Sequence, residues 1–309
     1  MRHTPLSGAE VQAQRNEARL GWTLALPALS VIALVALGPV LWAMWESLHL
    51  HDLRMPWLGR RFIGAQNYVE AFSDPRFWGA IGHTVVFAAT SVTVELLVGL
   101  VLAIAVDTVN RGRGVIRTVM LLPWAVPTVV VGLVWRFMFE TPAGLVNTML
   151  LRIGVTSVPP TWFADALAAW LPLVLADVWK TTPFVAILLL AGLQVIDKSL
   201  YEAAQMDGAS VWQQFTQITL PLLKPALLVA FIFRTLDAFR VFDVIYVMTG
   251  GGPGTATEPI ALYTFSVLLE NLRFGFGSAL SVVVFIVTFL FALAAIHFMG
   301  RQALVERAA

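Results

Sequence analysis

The chain is 309 residues long, and 58% of its residues are hydrophobic while only 13% are charged. Soluble domains are closer to one-half apolar and one-quarter charged, so this composition excludes an ordinary soluble protein and indicates a polytopic membrane protein. The formal net charge of +1 provides no basic surface for nucleic acid. The absence of cysteine excludes disulfides, thiol nucleophiles and cysteine-ligated metals.

The apolar stretches predict an all-α protein with six transmembrane helices. A helix needs about 20 apolar residues to cross the hydrocarbon core of a bilayer. Six stretches reach that length, at about residues 21–45, 83–106, 118–139, 170–193, 225–248 and 278–298. They predict a transmembrane domain over residues 21–300 with tails at 1–20 and 301–309. The first stretch is too long for a signal sequence, so we expect it to be retained.

The distribution of Lys and Arg predicts the orientation of the chain. With six spans, both tails lie on one side of the membrane, together with the loops 107–117 and 194–224. These segments carry ten Lys and Arg residues, whereas the loops of the opposite side carry six. The positive-inside rule therefore predicts a multi-pass plasma-membrane or inner-membrane protein with cytoplasmic termini.

Three connecting segments have recognisable patterns. The apolar spacing of residues 143–152 predicts a short helix at the membrane interface. The glycines and prolines of residues 249–259 predict an irregular loop. His49 and His51 can share a strand edge, but two histidines without a third ligand favour a plain loop over a metal site.

The loop 194–224 is predicted to contain two short helices. Asp197 or Ser199 can cap the first helix, which ends before Gly208 because glycine accepts the left-handed conformation. The second helix starts at Ser210. Without further information, this is a helix-turn-helix connector whose small residues allow close packing.

The same loop also carries a longer pattern: E-A-A, three residues, G, nine residues, I-x-L-P. The matching residues are Glu202, Ala203, Ala204, Gly208, Ile218, Leu220 and Pro221. The pattern resembles the EAA loop of permease subunits in binding-protein-dependent ABC importers. Segments 62–68, 177–184, 233–243 and 249–254 are similar to the carbohydrate-uptake branch of that family, closest to the first permease subunit of trehalose- and maltose-type systems.

The resemblance implies a type I ABC importer permease fold and the ATP-driven import of a sugar such as trehalose or maltose. The loop residues, with Asp207, would contact an ATPase subunit; Glu202 would pair with a basic residue and Gly208 would form the turn. ATP and Mg would be bound by a dimer of ATPase subunits, and this chain would bind no cofactor or metal. The other implied partners are a second, different permease chain, an extracytoplasmic sugar-binding protein and membrane lipid. Nucleic acid is not among them.

The sequence offers no catalytic motif of its own. No G-x-x-x-x-G-K-[ST], H-E-x-x-H or G-x-S-x-G segment occurs, so we predict neither an ATPase site nor catalytic residues in this chain.

Charged residues inside predicted spans need partners or a wet cavity. The fifth span holds Arg234, Asp237, Arg240 and Asp243, which alternate in sign at i,i+3 spacing. They predict either a neutral ladder along one helix or, for Asp237 and Arg240, residues that line a sugar path.

The fourth span has a similar pair, Asp177 and Lys180, followed by Pro183, which is expected to kink the helix. Glu95 is alone in its span, and we expect it to pair with Arg136 or with an arginine of another helix.

Proteins bind sugars with aromatic ring faces and hydrogen-bonding groups. Residues of these types in the last three spans are therefore candidates for the lining of a sugar path. They are Trp179, Lys180, Asp237, Phe239, Arg240, Phe242, Tyr246 and Ser281. Packing within the bundle is the alternative role for each aromatic ring.

Two other functions stay open from the residues alone. One is an ion-driven secondary sugar transporter with Glu95, Asp177 and Asp237 as proton sites. The other is a membrane-embedded enzyme with paired carboxylates.

Overall fold

The structure is a computed structural model that describes residues 8–109 and 111–306. The α-helices of the described residues are α1 (Gly8–Glu46), α2 (Gln66–Ser73), α3 (Pro75–Thr108), α4 (Arg113–Ala125), α5 (Thr128–Phe139), α6 (Leu145–Arg152), α7 (Trp170–Leu193), α8 (Lys198–Met206), α9 (Val211–Gln214), α10 (Leu220–Ala238), α11 (Asp243–Met248), α12 (Ile260–Phe265) and α13 (Phe274–Glu306). The strands β1 (His49–Leu50) and β2 (Arg61–Phe62) form an antiparallel pair. Short 3₁₀ turns lie at Pro56–Leu58 and Trp162–Ala164, and π-helical turns at Phe215–Thr219 and Ser266–Glu270.

The prediction of an all-α chain with six spans is confirmed for the described residues. The helical segments that are long and apolar enough to cross a membrane are Arg19–Glu46, Pro75–Thr108, Trp170–Leu193, Val211–Ala238 and Phe274–His297. The sixth span is the pair α4 and α5, which meet at an angle of 85°. The predicted tail residues Arg2 and Arg307 lie outside the described residues.

The third span was predicted as one helix over residues 118–139, and this continuity is wrong. α4 ends at Ala125 and α5 starts at Thr128. Proline restricts the residue before it to extended conformations, and Val126 before Pro127 has φ −72° and ψ 133°. The proline therefore breaks the helix in the middle of the span.

The fifth span was predicted over residues 225–248, and this prediction is also wrong. α9, the π-helical turn and α10 form one helical segment that starts at Val211, and it ends at Ala238. The backbone of Phe242 is non-helical, with φ −142° and ψ −63°. Its ring lies 5.2 Å from that of Tyr246 and 4.9 Å from that of Phe265. Tertiary packing of these rings therefore accompanies the break.

The helix break also overturns the predicted charge ladder. Arg240 lies in the break and Asp243 starts α11, so the four charges do not share one helix. Arg234 and Asp237 do pair. Among the described residues, the side chains of Arg240 and Asp243 have no hydrogen bond or ion pair.

The core of the bundle is the contact of α3, α7 and α10. A Cβ added to Gly99 would lie 2.7 Å from Cγ1 of Val185, and one added to Gly192 would lie 2.6 Å from Cβ of Ala226. Small residues at these points let the helices approach closely, as is typical of membrane helix interfaces. In contrast, the apolar stretch of α1 has no buried residue within the described chain and therefore presents an outward apolar face.

The connections opposite to α8 and α9 pack on one another. The predicted helix at residues 143–152 is confirmed as α6, and residues 249–259 form the predicted loop. Arg76 donates two hydrogen bonds to the buried carboxylate of Glu258, at 2.8 and 2.7 Å, which fixes this loop to the start of α3. His49 Nδ1 is 2.8 Å from the carbonyl oxygen of Trp45, and His51 contacts Glu46.

Candidate functional site

The first candidate site is the turn formed by α8 and α9. α8 begins after Asp197, whose Oδ1 accepts a hydrogen bond from the backbone N–H of Ser199 at 2.9 Å. This hydrogen bond lowers the pKa of the Asp197 carboxyl from its ordinary value. Of the two caps that the sequence allowed, Asp197 is therefore the one used.

α8 ends as predicted at Asp207 and Gly208. Gly208 has φ 78°, a left-handed conformation that costs residues with a Cβ about 1–2 kcal/mol. The N–H of Ala209 donates to the carbonyl of Ala204 at 2.9 Å and so closes the turn. Ser210 then caps α9, because its Oγ accepts a hydrogen bond from the N–H of Gln213 at 3.3 Å.

The tip of this turn is highly exposed. Met206 is 88% exposed, Val211 83% and Trp212 70%. Glu202 and Ala203 are also exposed, and the Glu202 carboxylate has no hydrogen bond or ion pair among the described residues. Apolar side chains beside a free acid at a sharp turn form a surface that suits another protein.

The remaining pattern residues have a different position. Ile218 lies in the π-helical turn and is half-buried. Leu220, which is also half-buried, and Pro221 begin α10. The hydroxyls of Tyr201 and Thr219 are 2.9 Å apart and tie α8 to this turn. These residues therefore anchor the exposed tip to the transmembrane helix.

The second candidate site is a cavity of about 580 Å³ beside the break after α10. It is lined by residues of α4, α5, α7, α10, α11 and the break, namely Trp124, Thr128, Asp177, Lys180, Thr181, Phe184, Phe233, Arg234, Leu236, Asp237, Ala238, Arg240, Val241, Phe242, Asp243 and Val244. The rings of Trp124 and Phe184 stack at 5.9 Å. A cavity with aromatic faces and several charged groups suits a polar, polyhydroxylated ligand.

A buried ion cluster forms part of the cavity wall. Arg234 of α10 contacts Glu95 of α3, with Nη2 2.8 Å from Oε1 and a second, shorter contact through Nε. Arg234 also donates to Asp177 of α7 at 3.2 Å and to Asp237. The cluster therefore connects the three helices of the core.

This cluster decides the pairing predictions. Glu95 pairs with an arginine of another helix, as predicted, and that residue is Arg234. The alternative partner Arg136 instead donates to the carbonyl of Val247 at 3.1 Å. The predicted pair of Asp177 with Lys180 is absent, because Arg234 takes Asp177 and leaves Lys180 without an ion pair among the described residues.

The structure brings only part of the predicted path residues to the cavity. Lys180, Asp237, Arg240 and Phe242 line it, whereas Trp179, Phe239, Tyr246 and Ser281 do not. The ring of Phe239 stacks on Phe291, and that of Tyr246 stacks on Phe242. Trp179 lies against Trp135, and Ser281 lines a neighbouring groove.

Sequence reasoning missed several residues of the wall, among them two aromatic residues and a threonine. Trp124 and Phe184 are on different helices, and no spacing within one segment links them. Thr181 donates to Glu95 at 2.7 Å, a contact that only the packing of α7 on α3 creates. A polar residue one turn from Asp177 was the available signal for Thr181.

Comparison with known proteins gives consistent matches over most of the chain. The sequence profile of the family described as binding-protein-dependent transport system inner membrane component matches residues 95–308. The trehalose/maltose transport system permease protein of Thermococcus litoralis is 45% identical over 90% of this chain and 92% of its own length. The trehalose transport system permease protein of Mycobacterium tuberculosis is 39% identical over 87% of this chain and 85% of its own.

A solved structure also matches. A chain of a bacterial alginate ABC transporter, crystallised with an alginate pentasaccharide-bound periplasmic protein, superposes with a TM-score of 0.78. The sequence identity is 23%, and the match covers 94% of this chain and 97% of the other. The likeness establishes a common fold.

Proposed function

This chain belongs to the binding-protein-dependent transport system inner membrane component family and is a sugar ABC importer permease, and from this premise we propose that it carries a disaccharide of the trehalose and maltose type. The sugar is proposed from the names of the two relatives above. We further propose that the energy comes from ATP hydrolysis on partner subunits, because this sequence contains no phosphate-binding loop.

The exposed turn of α8 and α9 is the observation that carries the ATP-driven part of this proposal. It offers an acid, Glu202, that has no ion pair within the described part of the chain, beside the exposed side chains of Met206, Val211 and Trp212. In our proposal this turn docks on a subunit of an ATPase dimer, with Glu202 facing a basic residue of that subunit. The left-handed Gly208 keeps the tip narrow.

The geometry suggests how movement at the turn reaches the cavity. The helical segment from Val211 to Ala238 contains 28 residues and is therefore about 42 Å long. One end lies at the exposed turn, and the other ends at the break beside the cavity. We propose that closure of the ATPase subunits pushes this segment and so changes the shape of the cavity.

The cavity supplies groups of the right chemistry for a sugar. Trp124 and Phe184 provide apolar ring faces, and Lys180 and Arg240 provide donors without ion-pair partners among the described residues. Asp177 and Asp237 provide acceptors. We propose that the sugar passes along this wall.

The remaining partners and the orientation are proposals of the same kind. The family description places such chains in the inner membrane. We propose cytoplasmic termini and a cytoplasmic α8–α9 turn from the distribution of Lys and Arg. A second permease chain and an extracytoplasmic sugar-binding protein complete the proposed importer. An ion-driven carrier is not favoured, because Glu95, Asp177 and Asp237 all contact Arg234 and the relatives are named as transport-system permeases.

The proposal is tested by purifying the tagged chain in mild detergent and identifying the proteins that accompany it. We expect an ATPase and a second permease, and uptake of labelled trehalose or maltose that requires ATP and resists uncouplers. Glu202→Lys is expected to lose the ATPase and at least about tenfold of the uptake, because a like charge would meet the proposed basic residue. Gln217→Lys, the same new charge on the exposed face of the π-helical turn, is the matched control. Uncoupler-sensitive, ATP-independent uptake would contradict the proposal.

A further inference from the structure

Arg234 has more carboxylate partners than a structural brace requires. Glu95 is fully buried and takes two nitrogen atoms of the guanidinium, and Thr181 donates to the same carboxylate at 2.7 Å. A paired contact of this kind satisfies a buried arginine. It already links α3 to α10, so bracing of the bundle is complete without further acids.

Two more carboxylates nevertheless meet the same guanidinium from the cavity side. The side chain of Asp177 is 13% exposed and that of Asp237 is 63% exposed, and both line the cavity. Like charges held close together repel one another. Their position at the wall therefore needs an explanation beyond packing.

Carboxylate oxygens accept hydrogen bonds from hydroxyl groups, and an acceptor that is held in place binds more tightly than one that must be ordered first. We propose that Arg234 is a positioning residue: anchored by Glu95 and Thr181, it holds the carboxylates of Asp177 and Asp237 at the cavity wall as acceptors for sugar hydroxyls. The inference rests on the proposed function, in that it takes the cavity to lie on the sugar path.

The first test removes the anchor without leaving either member of the Glu95–Arg234 pair as an unpaired buried charge. The double variant Glu95→Gln/Arg234→Gln replaces both ions by amides, and paired removal of a buried ion pair is often tolerated. In proteoliposomes with the complete importer, we expect normal assembly and normal ATP hydrolysis stimulated by the sugar-loaded binding protein. Trehalose uptake per ATP is expected to fall by at least about tenfold, the effect of losing one hydrogen bond to a charged group.

Two further variants keep this test decisive. Thr235→Val changes the residue next to Arg234. The buried hydroxyl of Thr235 has no hydrogen-bond partner among the described residues, so this change is expected to leave uptake per ATP unchanged. Arg234→Lys keeps the charge but lacks the planar fork that meets several carboxylates, so it is expected to lower uptake per ATP even if the double variant fails to assemble. Wild-type uptake per ATP in Arg234→Lys or in an assembled double variant would overturn the inference.

A second test needs no sugar and so separates this inference from the proposed substrate. The chain has no cysteine, so Lys180→Cys places a single thiol at the cavity wall. We expect the ratio of its reaction rates with a cationic and an anionic methanethiosulfonate reagent to rise severalfold when the double change is added. Arg234 then no longer balances Asp177 and Asp237 at the cavity wall, whereas the negative charge removed with it, that of Glu95, is fully buried and does not line the cavity. An unchanged ratio would refute the role of Arg234, whereas a wild-type importer that carries neither trehalose nor maltose would refute only the substrate.

Discussion

The two candidate sites of this chain are built in opposite ways. The α8–α9 turn is a short continuous segment whose tip is exposed, and each of its features arises from residues that are close in sequence. The cavity wall combines residues of several helices around Arg234, which is only 3% exposed. A change at the turn should therefore affect contact with a partner, whereas a change that leaves one member of the buried Glu95–Arg234 pair without the other should affect the fold itself.

The comparison predicts the largest effect for a single change in the buried cluster. Glu95→Ala leaves Arg234 without its buried partner, and removal of one member of a buried pair costs about 3–5 kcal/mol. We expect a marked fall in the thermal unfolding midpoint of the purified importer and a loss of assembled complex. The midpoint is measured by the fluorescence of the tryptophans in detergent.

The matched control for this prediction is Glu140→Ala, which removes an exposed carboxylate that has no ion pair among the described residues. It should leave the midpoint within the range of repeated measurements. If Glu95→Ala unfolded at the wild-type temperature, the buried cluster would not stabilise the bundle, and the contrast between the two sites would fail.

A smaller effect on stability, with a large effect on transport, is expected at Gly208. Valine at φ 78° costs about 1–2 kcal/mol and widens the tip of the turn, so Gly208→Val should insert normally but lose most uptake. Asparagine tolerates the left-handed conformation, so Gly208→Asn should retain more uptake. Gly79→Ala, in open space within α3, is the control. Equal uptake in all three variants would mean that the shape of the turn does not matter.

The same contrast explains what could be predicted from the sequence. Helix length is encoded in apolar runs, so the number of spans was predicted, and the turn was predicted because capping and left-handed glycine depend on local sequence. The break after Ala238 was missed, since the packing of Phe242 against Tyr246 and Phe265 overrides an apolar run of helical length.

The cavity wall was harder to predict for a related reason. Asp177 and Lys180 have ideal i,i+3 spacing, yet Arg234 from another helix takes Asp177. Spacing along one helix identifies possible ion-pair partners. Inside a bundle, however, leaving a buried guanidinium unpaired costs more free energy than leaving the Lys180 ammonium at the cavity wall unpaired. The ion pairs between helices are therefore determined by the cost of burying the Arg234 charge, and not by how close two charged residues are in the sequence.

The smallest effect is expected at the cap of α8. The N–H of Ser199 lowers the pKa of Asp197, so the ionised carboxylate stabilises α8 above the ordinary Asp pKa of 3.8, and this contribution is lost as the pH falls through the lowered value. At pH 7, Asp197→Ala should speed hydrogen exchange of the first amides of α8, while Asp197→Asn, which retains a side-chain acceptor, should change it less. The difference between Asp197→Ala and the wild type should shrink at pH 3. A difference that persisted unchanged at that pH would show that the charge of Asp197 contributes nothing to the start of the helix. The shape of the exposed turn would then depend on Gly208 and on the contact between the hydroxyls of Tyr201 and Thr219.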